Sequence, residues 1–154
     1  MSGSGSGSGS GSSVVVIDAG GVAGAVGRDE ALALYEAVGW SAYTKDPDGL
    51  VRALAGSTLV ATARDGDRLV GLARVVTDGA SILYLQDVLV HPDAQRTGLG
   101  RRLVSALLDA YPDVRQKVLL TDDEPAQKAF YESLGFGDTR DVHGGVLRTF
   151  VRFD

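Results

Sequence analysis

Residues 82–108 read ILYLQDVLVHPDAQRTGLGRRLVSALL, and the fold turns on how this stretch is read. Ile82 to Val90 is an apolar run broken only by Gln86 and Asp87, the pattern of a largely buried strand. His91-Pro92 ends it, because proline has no N–H to give a ladder. From Gly98 the period changes. Leu99, Leu103 and Leu107 recur every four residues with Val104 and Leu108 beside them, forming the apolar stripe of an amphipathic helix that Tyr111-Pro112-Asp113 stops. Between strand and helix lies Gln95-Arg96-Thr97-Gly98-Leu99-Gly100-Arg101. Its glycines let the backbone approach a ligand closely, and amides at a helix N-terminus favour an anion. Physical chemistry therefore predicts a cradle for phosphate or pyrophosphate. The loop is not a P-loop, for it lacks G-x-x-x-x-G-K-[ST]. Nor is it a Rossmann turn, because its G-x-G has no third glycine.

Working outward, Thr58 to Arg64 and Leu69 to Val76 alternate around Asp65-Gly66-Asp67 as a hairpin, and Asp78-Gly79 turns into the next strand. Asp29 to Val38 has helical character with Gly39 as its stop, and Asp46-Pro47 opens a short helix through Leu54, closed by Gly56. Val14 to Asp18 (VVVID) reads as a short buried strand. Ala19 to Gly27 (AGGVAGAVG) reads as a loop into the first helix, its glycines missing the G-x-G-x-x-G spacing. Met1 to Ser13 alternates Gly and Ser, a flexible coil, and is read as a linker or tag remnant outside a single domain at 14–154. Downstream, Lys117 to Thr121 is a strand, and Glu124-Pro125 opens a helix that runs to Leu134 and closes at Gly135-Phe136. Val146 to Phe153 alternates like a last strand. Hairpins plus one strand–helix–strand crossover predict an α/β fold, a mixed and mostly antiparallel central sheet flanked by helices.

The 154 residues allow one well-filled core. Cysteine is absent, which removes disulfides, thiolate sites and cysteine nucleophiles. With only His91 and His143 available, no metal is expected. The formal net charge is −5, and no basic block appears, so no nucleic-acid partner is expected. An acidic chain is biased toward cationic partners such as amines. No run reaches bilayer length and no secretory signal is visible, so the expectation is a cytoplasmic protein without a membrane partner.

The Q-x-x-G-x-G of Gln95 to Gly100, after a strand ending V-x-V-x-P, resembles the central motif of GNAT acetyltransferases. AQKAFYESLGF at 126–136 is similar to that family's [FY]-Y-x-x-x-G-F signature, and the hairpin before the strand and KVLLT after the helix fall in the family's order. The resemblance covers Asp29 to Phe136. It implies acetyl-CoA as acyl-donor cosubstrate, an amine acceptor, and a sheet splayed to admit coenzyme A. It also implies that the backbone of Val88, Leu89 and Val90 bonds the pantetheine arm. The motif Gln95, Arg96, Thr97, Gly98, Leu99, Gly100 and Arg101 would hold the pyrophosphate, with charge from Arg96, Arg101 and Arg102, and an N–H near Val88 would meet the acyl oxygen. Tyr131 matches the tyrosine that protonates the leaving thiolate in many members. A phenol with a pKa of roughly 10 can do so within hydrogen-bond reach, while the other reading is a core aromatic. Asp87 is the candidate base for the acceptor ammonium; its other readings are a loop cap or an arginine partner. Gln86 cannot take a proton usefully, His91 is read as a turn residue, and Glu124 stands where many members have asparagine, so that role is not carried over. The reaction implied is acetyl transfer to a primary amine, on a small molecule, by direct attack in a ternary complex. A peptide or protein amine as acceptor and a non-catalytic acyl-CoA-binding module are the alternatives. A homodimer is left open.

Overall fold

The computed structural model describes residues 13–18 and 26–154. The expected loop over Ala19–Ala25 and the Gly/Ser tract through Ser12 lie outside the described residues. Ser13, placed in the linker by its composition, is the first residue of strand β1 (Ser13–Asp18). The chain gathers into two compact units, one ending at Leu119 and the other spanning Leu120–Asp154.

The first unit is built on a five-stranded sheet in the order β1-β2-β3-β4-β5. β2 (Leu59–Asp65), β3 (Arg68–Thr77) and β4 (Ile82–Val90) follow β1 as antiparallel neighbours, and β5 (Gln116–Leu119) lies parallel to β4. The turn into β4 is held by Asp78, whose carboxylate accepts from the amides of Ala80, Ser81 and Ile82 and from the Ser81 hydroxyl. Those four donors hold its carboxyl well below the usual carboxylate range. The parallel pair needs a crossover, and α4 (Leu99–Ala110) supplies it.

Helix α4 buries Leu99, Leu103, Val104 and Leu107, the stripe read from their spacing. A Cβ at Gly71 would come within 3.0 Å of Leu103 Cδ1 and 3.2 Å of Ala63 Cβ, so a glycine here allows α4 its close approach to β3. A second buried cluster gathers Leu34 and Tyr35 of α1 (Arg28–Ala37) and Leu50 and Leu54 of α3 (Pro47–Ala55). Val60, Leu69, Leu72 and Leu89 of the sheet complete it. Between these helices stands α2 (Ser41–Thr44), a single turn too short to leave a periodic signal. Trp40 and Tyr43 pack partly against this cluster. Asp46 caps α3 by accepting from the Gly49 amide at 2.9 Å.

In the second unit α5 (Pro125–Glu132) carries Phe130 and Tyr131, which meet edge to face at 5.0 Å, and Phe136 meets Tyr131 at 6.1 Å. Lys128 reaches Asp141 at 2.6 Å and Arg140 reaches Asp138 at 2.7 Å. The strand expected over Val146 to Phe153 is not formed: among the described residues this stretch joins no ladder. Its alternation is genuine, but Phe150 and Phe153 are 94% and 86% exposed. Alternation only makes a segment fit to pair; a strand exists once an edge accepts it. Among the described residues no helix is long and apolar enough to cross a membrane.

Helix α1 is tied to the sheet by Glu30, whose carboxylate takes Arg64 Nη2 at 2.6 Å and Nη1 at 2.9 Å, and also the Gly27 amide at 2.8 Å. The Arg64 hydrogen bonds, more than the Gly27 amide, hold the Glu30 carboxyl below its ordinary range. A depressed carboxyl contributes stability above its unfolded pKa and loses it as the pH falls through the folded value. Glu30→Gln should therefore cost about 1 kcal/mol at pH 7, and the gap to wild type should narrow below about pH 4. Urea unfolding at both pH values checks this, and an equal gap at both would refute the charge assignment.

Candidate active site along the diverging strands

β4 is paired on its β5 side only as far as Leu85, which lies opposite Leu119. Beyond it, Gln86 to Val90 have no β5 partner. On the other side the β3 register runs Leu72↔Leu89, Ala73↔Val88, Arg74↔Asp87, then Val75↔Leu85, so Gln86 is an extra residue, a bulge. The His91 amide donates to Val70 O at 2.7 Å. Antiparallel ladders alternate bonded and non-bonded pairs, so Leu89 faces β3 with its N–H and C=O. Val88 and Val90 direct theirs to the side where β5 has ended. Of the three backbone positions expected to bond a ligand arm, Leu89 is thus already committed to β3.

The loop after β4 starts with a 3-10 turn at Pro92–Ala94, followed by Gln95 in an extended conformation. Gln95 uses its side-chain amide on Val90 O at 3.2 Å, tying the loop to the strand end. Thr97 Oγ1 donates to Ala94 O at 2.7 Å. Arg96 and Gly98 both lie in the left-handed region, at φ 64° and 76°. For arginine this is an uncommon backbone, of a kind that clusters at ligand clamps. Nothing lies within 4 Å of where a Gly98 Cβ would stand. Arg102 N–H bonds Gly98 O at 3.2 Å, one turn back. The amides of Leu99 and Gly100 precede the helical ladder and point out of the N-terminus of α4, where the dipole favours negative charge. The loop is therefore built to receive an anion with backbone groups.

Asp87 points away from that loop. It is 2% exposed and occupied at both oxygens. Oδ1 accepts from Tyr43 OH at 2.7 Å, and Oδ2 accepts from Tyr35 OH at 2.8 Å and Arg74 Nε at 2.5 Å. Arg74 is 7% exposed and also reaches Ser57 Oγ at 3.4 Å. Burial pulls the Arg74 guanidinium down, but the Asp87 charge and hydrogen bond outweigh it and hold it above its ordinary value. Burial, then the neighbouring Asp87, pushes both tyrosine phenols up, Tyr35 very far. Of the readings the sequence left open for Asp87, this geometry is that of the arginine partner, with both oxygens hydrogen-bonded inside the fold. Tyr43 is half-buried and also accepts from the exposed Gln86 Nε2 at 3.2 Å. This network escaped the sequence reading. Its signal was Arg74 standing inside the apolar run LVGLARVV, where a charge demands a partner.

Tyr131 lies in the second unit, half-buried in its aromatic trio, and burial pushes its phenol above the ordinary value. Among the described residues no cluster of metal-ligating side chains is found.

The family model described as "Acetyltransferase (GNAT) domain" matches residues 36–144. The L-amino acid N-acyltransferase MnaT of Escherichia coli (strain K12) is 33% identical over 115 residues, covering 67% of this chain and 66% of that protein. The uncharacterized N-acetyltransferase ycf52 of Pyropia yezoensis is 32% identical over 108 residues, covering 67% of this chain and 60% of that one. The chain thus spans less than two thirds of the length of either. Among solved structures, a GNAT family acetyltransferase from Streptococcus pneumoniae TIGR4 superposes with a TM-score of 0.77 at 29% identity, covering 93% of this chain and 98% of that one.

Because removing one partner of a buried pair strands the other charge, Asp87→Ala should lower unfolding stability by about 3 kcal/mol or more. Urea denaturation measures it; a loss below about 0.5 kcal/mol, the size of an ordinary surface change, would mean Arg74 finds another partner.

Proposed function

The chain belongs to the GNAT acetyltransferase family, and on that premise we propose that it transfers an acetyl group from acetyl-CoA to a primary amine on a small molecule, by direct attack in a ternary complex. The observation that carries this reading is the end of β4–β5 pairing at Leu85, five residues before β4 gives way to a loop whose amides stand at a helix N-terminus suited to an anion. A cosubstrate with a peptide-like arm and a pyrophosphate needs both features, in that order along the chain, and these residues fit it. When bound, acetyl-CoA supplies a thioester-activated acetyl group.

Val88 through its C=O and Val90 through its N–H bind the arm, as an added strand would be bound, the Val90 carbonyl already accepting from Gln95. The Val88 N–H is placed to polarise the acyl oxygen. Gly98, Leu99 and Gly100 receive the pyrophosphate with backbone amides at the helix N-terminus, helped by the turned backbone of Arg96 and Thr97. Arg96 and Arg101 supply positive charge near it, and Gln95 keeps loop and strand end in register through Val90 O. Tyr131 holds the proton for the departing sulfur, since a phenol raised by burial stays protonated at neutral pH. Asp87 serves in the reaction by fixing its neighbours; with both oxygens engaged it does not take the amine proton itself. Cationic amines are the acceptor class that the net charge of −5 favours.

Gly98→Glu places a carboxylate where the pyrophosphate binds and should weaken acetyl-CoA binding on the order of a hundredfold. Gly98→Ala bears a similar left-handed backbone penalty of about 1 kcal/mol without the charge, and should keep most of the affinity. Calorimetric titration of both variants decides it: equal losses would mean that strain and not charge is responsible, and no loss in either would remove the site. The reaction itself is tested by thiol release from acetyl-CoA over a panel of amines. Tyr131→Phe should lower kcat about a hundredfold while leaving acetyl-CoA affinity intact; an unaltered kcat would return Tyr131 to the core.

A further inference from the structure

The hydrogen bonds around Asp87 run in one direction only, and that direction ends at the protein surface. A carboxylate can only accept, so the single Tyr43 hydroxyl proton is committed to Asp87 Oδ1. The Tyr43 oxygen is then left as an acceptor alone. It can be met only by a donor, which requires that Gln86 turn its Nε2 and not its Oε1 toward Tyr43. Arg74 Nη2, 3.5 Å from the same oxygen, reinforces this, being itself only a donor. The amide orientation is thus forced by the Asp87 carboxylate, two links back along the hydrogen-bond chain. The consequence is that Gln86 Oε1 faces away from the network, on a residue that is exposed.

Gln86 is also the bulge residue of β4, two positions before Val88 and just past the last β5 pair at Leu85. A bulge at this place re-aims a side chain beside a site, a recurrent use of the feature. We propose that Gln86 Oε1 is the group that receives and orients the acceptor amine, held in place by the chain Arg74–Asp87–Tyr43–Gln86; this rests on the acetyltransferase reading. Gln86 touches the acceptor, while Tyr43 and Asp87 are positioning residues.

The charge balance of the chain specifies the kind of acceptor. Arg74 and Asp87 compensate each other inside the fold, so what reaches the surface is a neutral carbonyl dipole. Such a group accepts an N–H from the acceptor without the ionic attraction by which a carboxylate would favour ammonium, and so opposes loss of the amine proton less than a carboxylate would. At Gln86 the site accordingly offers no negative charge that would favour a dicationic diamine over a monoamine.

The test uses the whole chain with two probes, benzylamine as monoamine and putrescine as diamine, with acetyl-CoA affinity measured by calorimetry alongside. Gln86→Leu and Tyr43→Phe should each raise KM for benzylamine about tenfold, the loss of one oriented hydrogen bond. Acetyl-CoA affinity should stay unchanged, which also shows that the variants are folded. The double variant should be no worse than the worse single one, because both remove the same interaction. Gln86→Glu should shift selectivity toward putrescine. Unaltered KM values, or losses that add in the double variant, would overturn the inference while leaving the acetyltransferase reading intact. A wild-type protein that binds no acetyl-CoA, or releases no thiol with any amine, would overturn both.

Discussion

Between Leu85 and Asp87 the β4 strand holds one residue that β3 does not match, and the pairing of β4 with β5 stops at the same place. The rest of the site depends on this irregularity. With strict pairing, Asp87 would fall out of register with Arg74, leaving an arginine alone in an apolar layer. Strict pairing with β5 through Val90 would also consume the backbone groups of Val88 and Val90 that now face outward. One extra residue thus sets the buried charge pair on one side of the strand, beside a backbone edge that β5 leaves unpaired and on which only the Val90 carbonyl is met, by Gln95. The cost is a locally disrupted ladder, which the hydrogen bonds of Asp87 to Arg74, Tyr35 and Tyr43 help to offset.

Those bonds are more than compensation. Burying an ion pair gains little against an apolar pair of the same volume, because both ions lose their hydration. What the pair supplies here is direction: two tyrosine hydroxyls from α1 and α2 are fixed on one strand residue, so the helices over this face are held to β4 by geometry as well as by apolar contact. α1 has a second such tie in Glu30 and Arg64. On the opposite face no comparable polar anchor is needed, since Gly71 lets α4 sit against β3 by close packing. The helix α4 is therefore positioned by shape, and the helices beside Gln86 by directed hydrogen bonds.

Most of the fold was legible because its signals are local. The switch in period at Gly98, the proline after His91 and the two turns between strands each constrain their own neighbourhood, and the elements form at or within a few residues of where they were read. The turn from β4 into α4 was legible for the same reason, its seven residues being contiguous. What was not legible is non-local. The partners of Asp87 lie 13, 44 and 52 residues away along the chain, and no spacing rule links them. The bulge that brings Asp87 opposite Arg74 has no composition cue such as a glycine. The α2 turn is shorter than one period of any pattern. The tail at 146–153 failed in the other direction, with a clear local pattern and no ladder to join.

The central claim is that the backbone edge of Val88 and Val90 and the amides at the start of α4 together receive acetyl-CoA. Residue-resolved amide hydrogen exchange, with and without saturating acetyl-CoA, tests it most directly. The account predicts that Val88, Val90, Leu99 and Gly100 gain protection on addition, while Leu89, already bonded to β3, changes little. Protection appearing elsewhere with these four amides unaffected would contradict it.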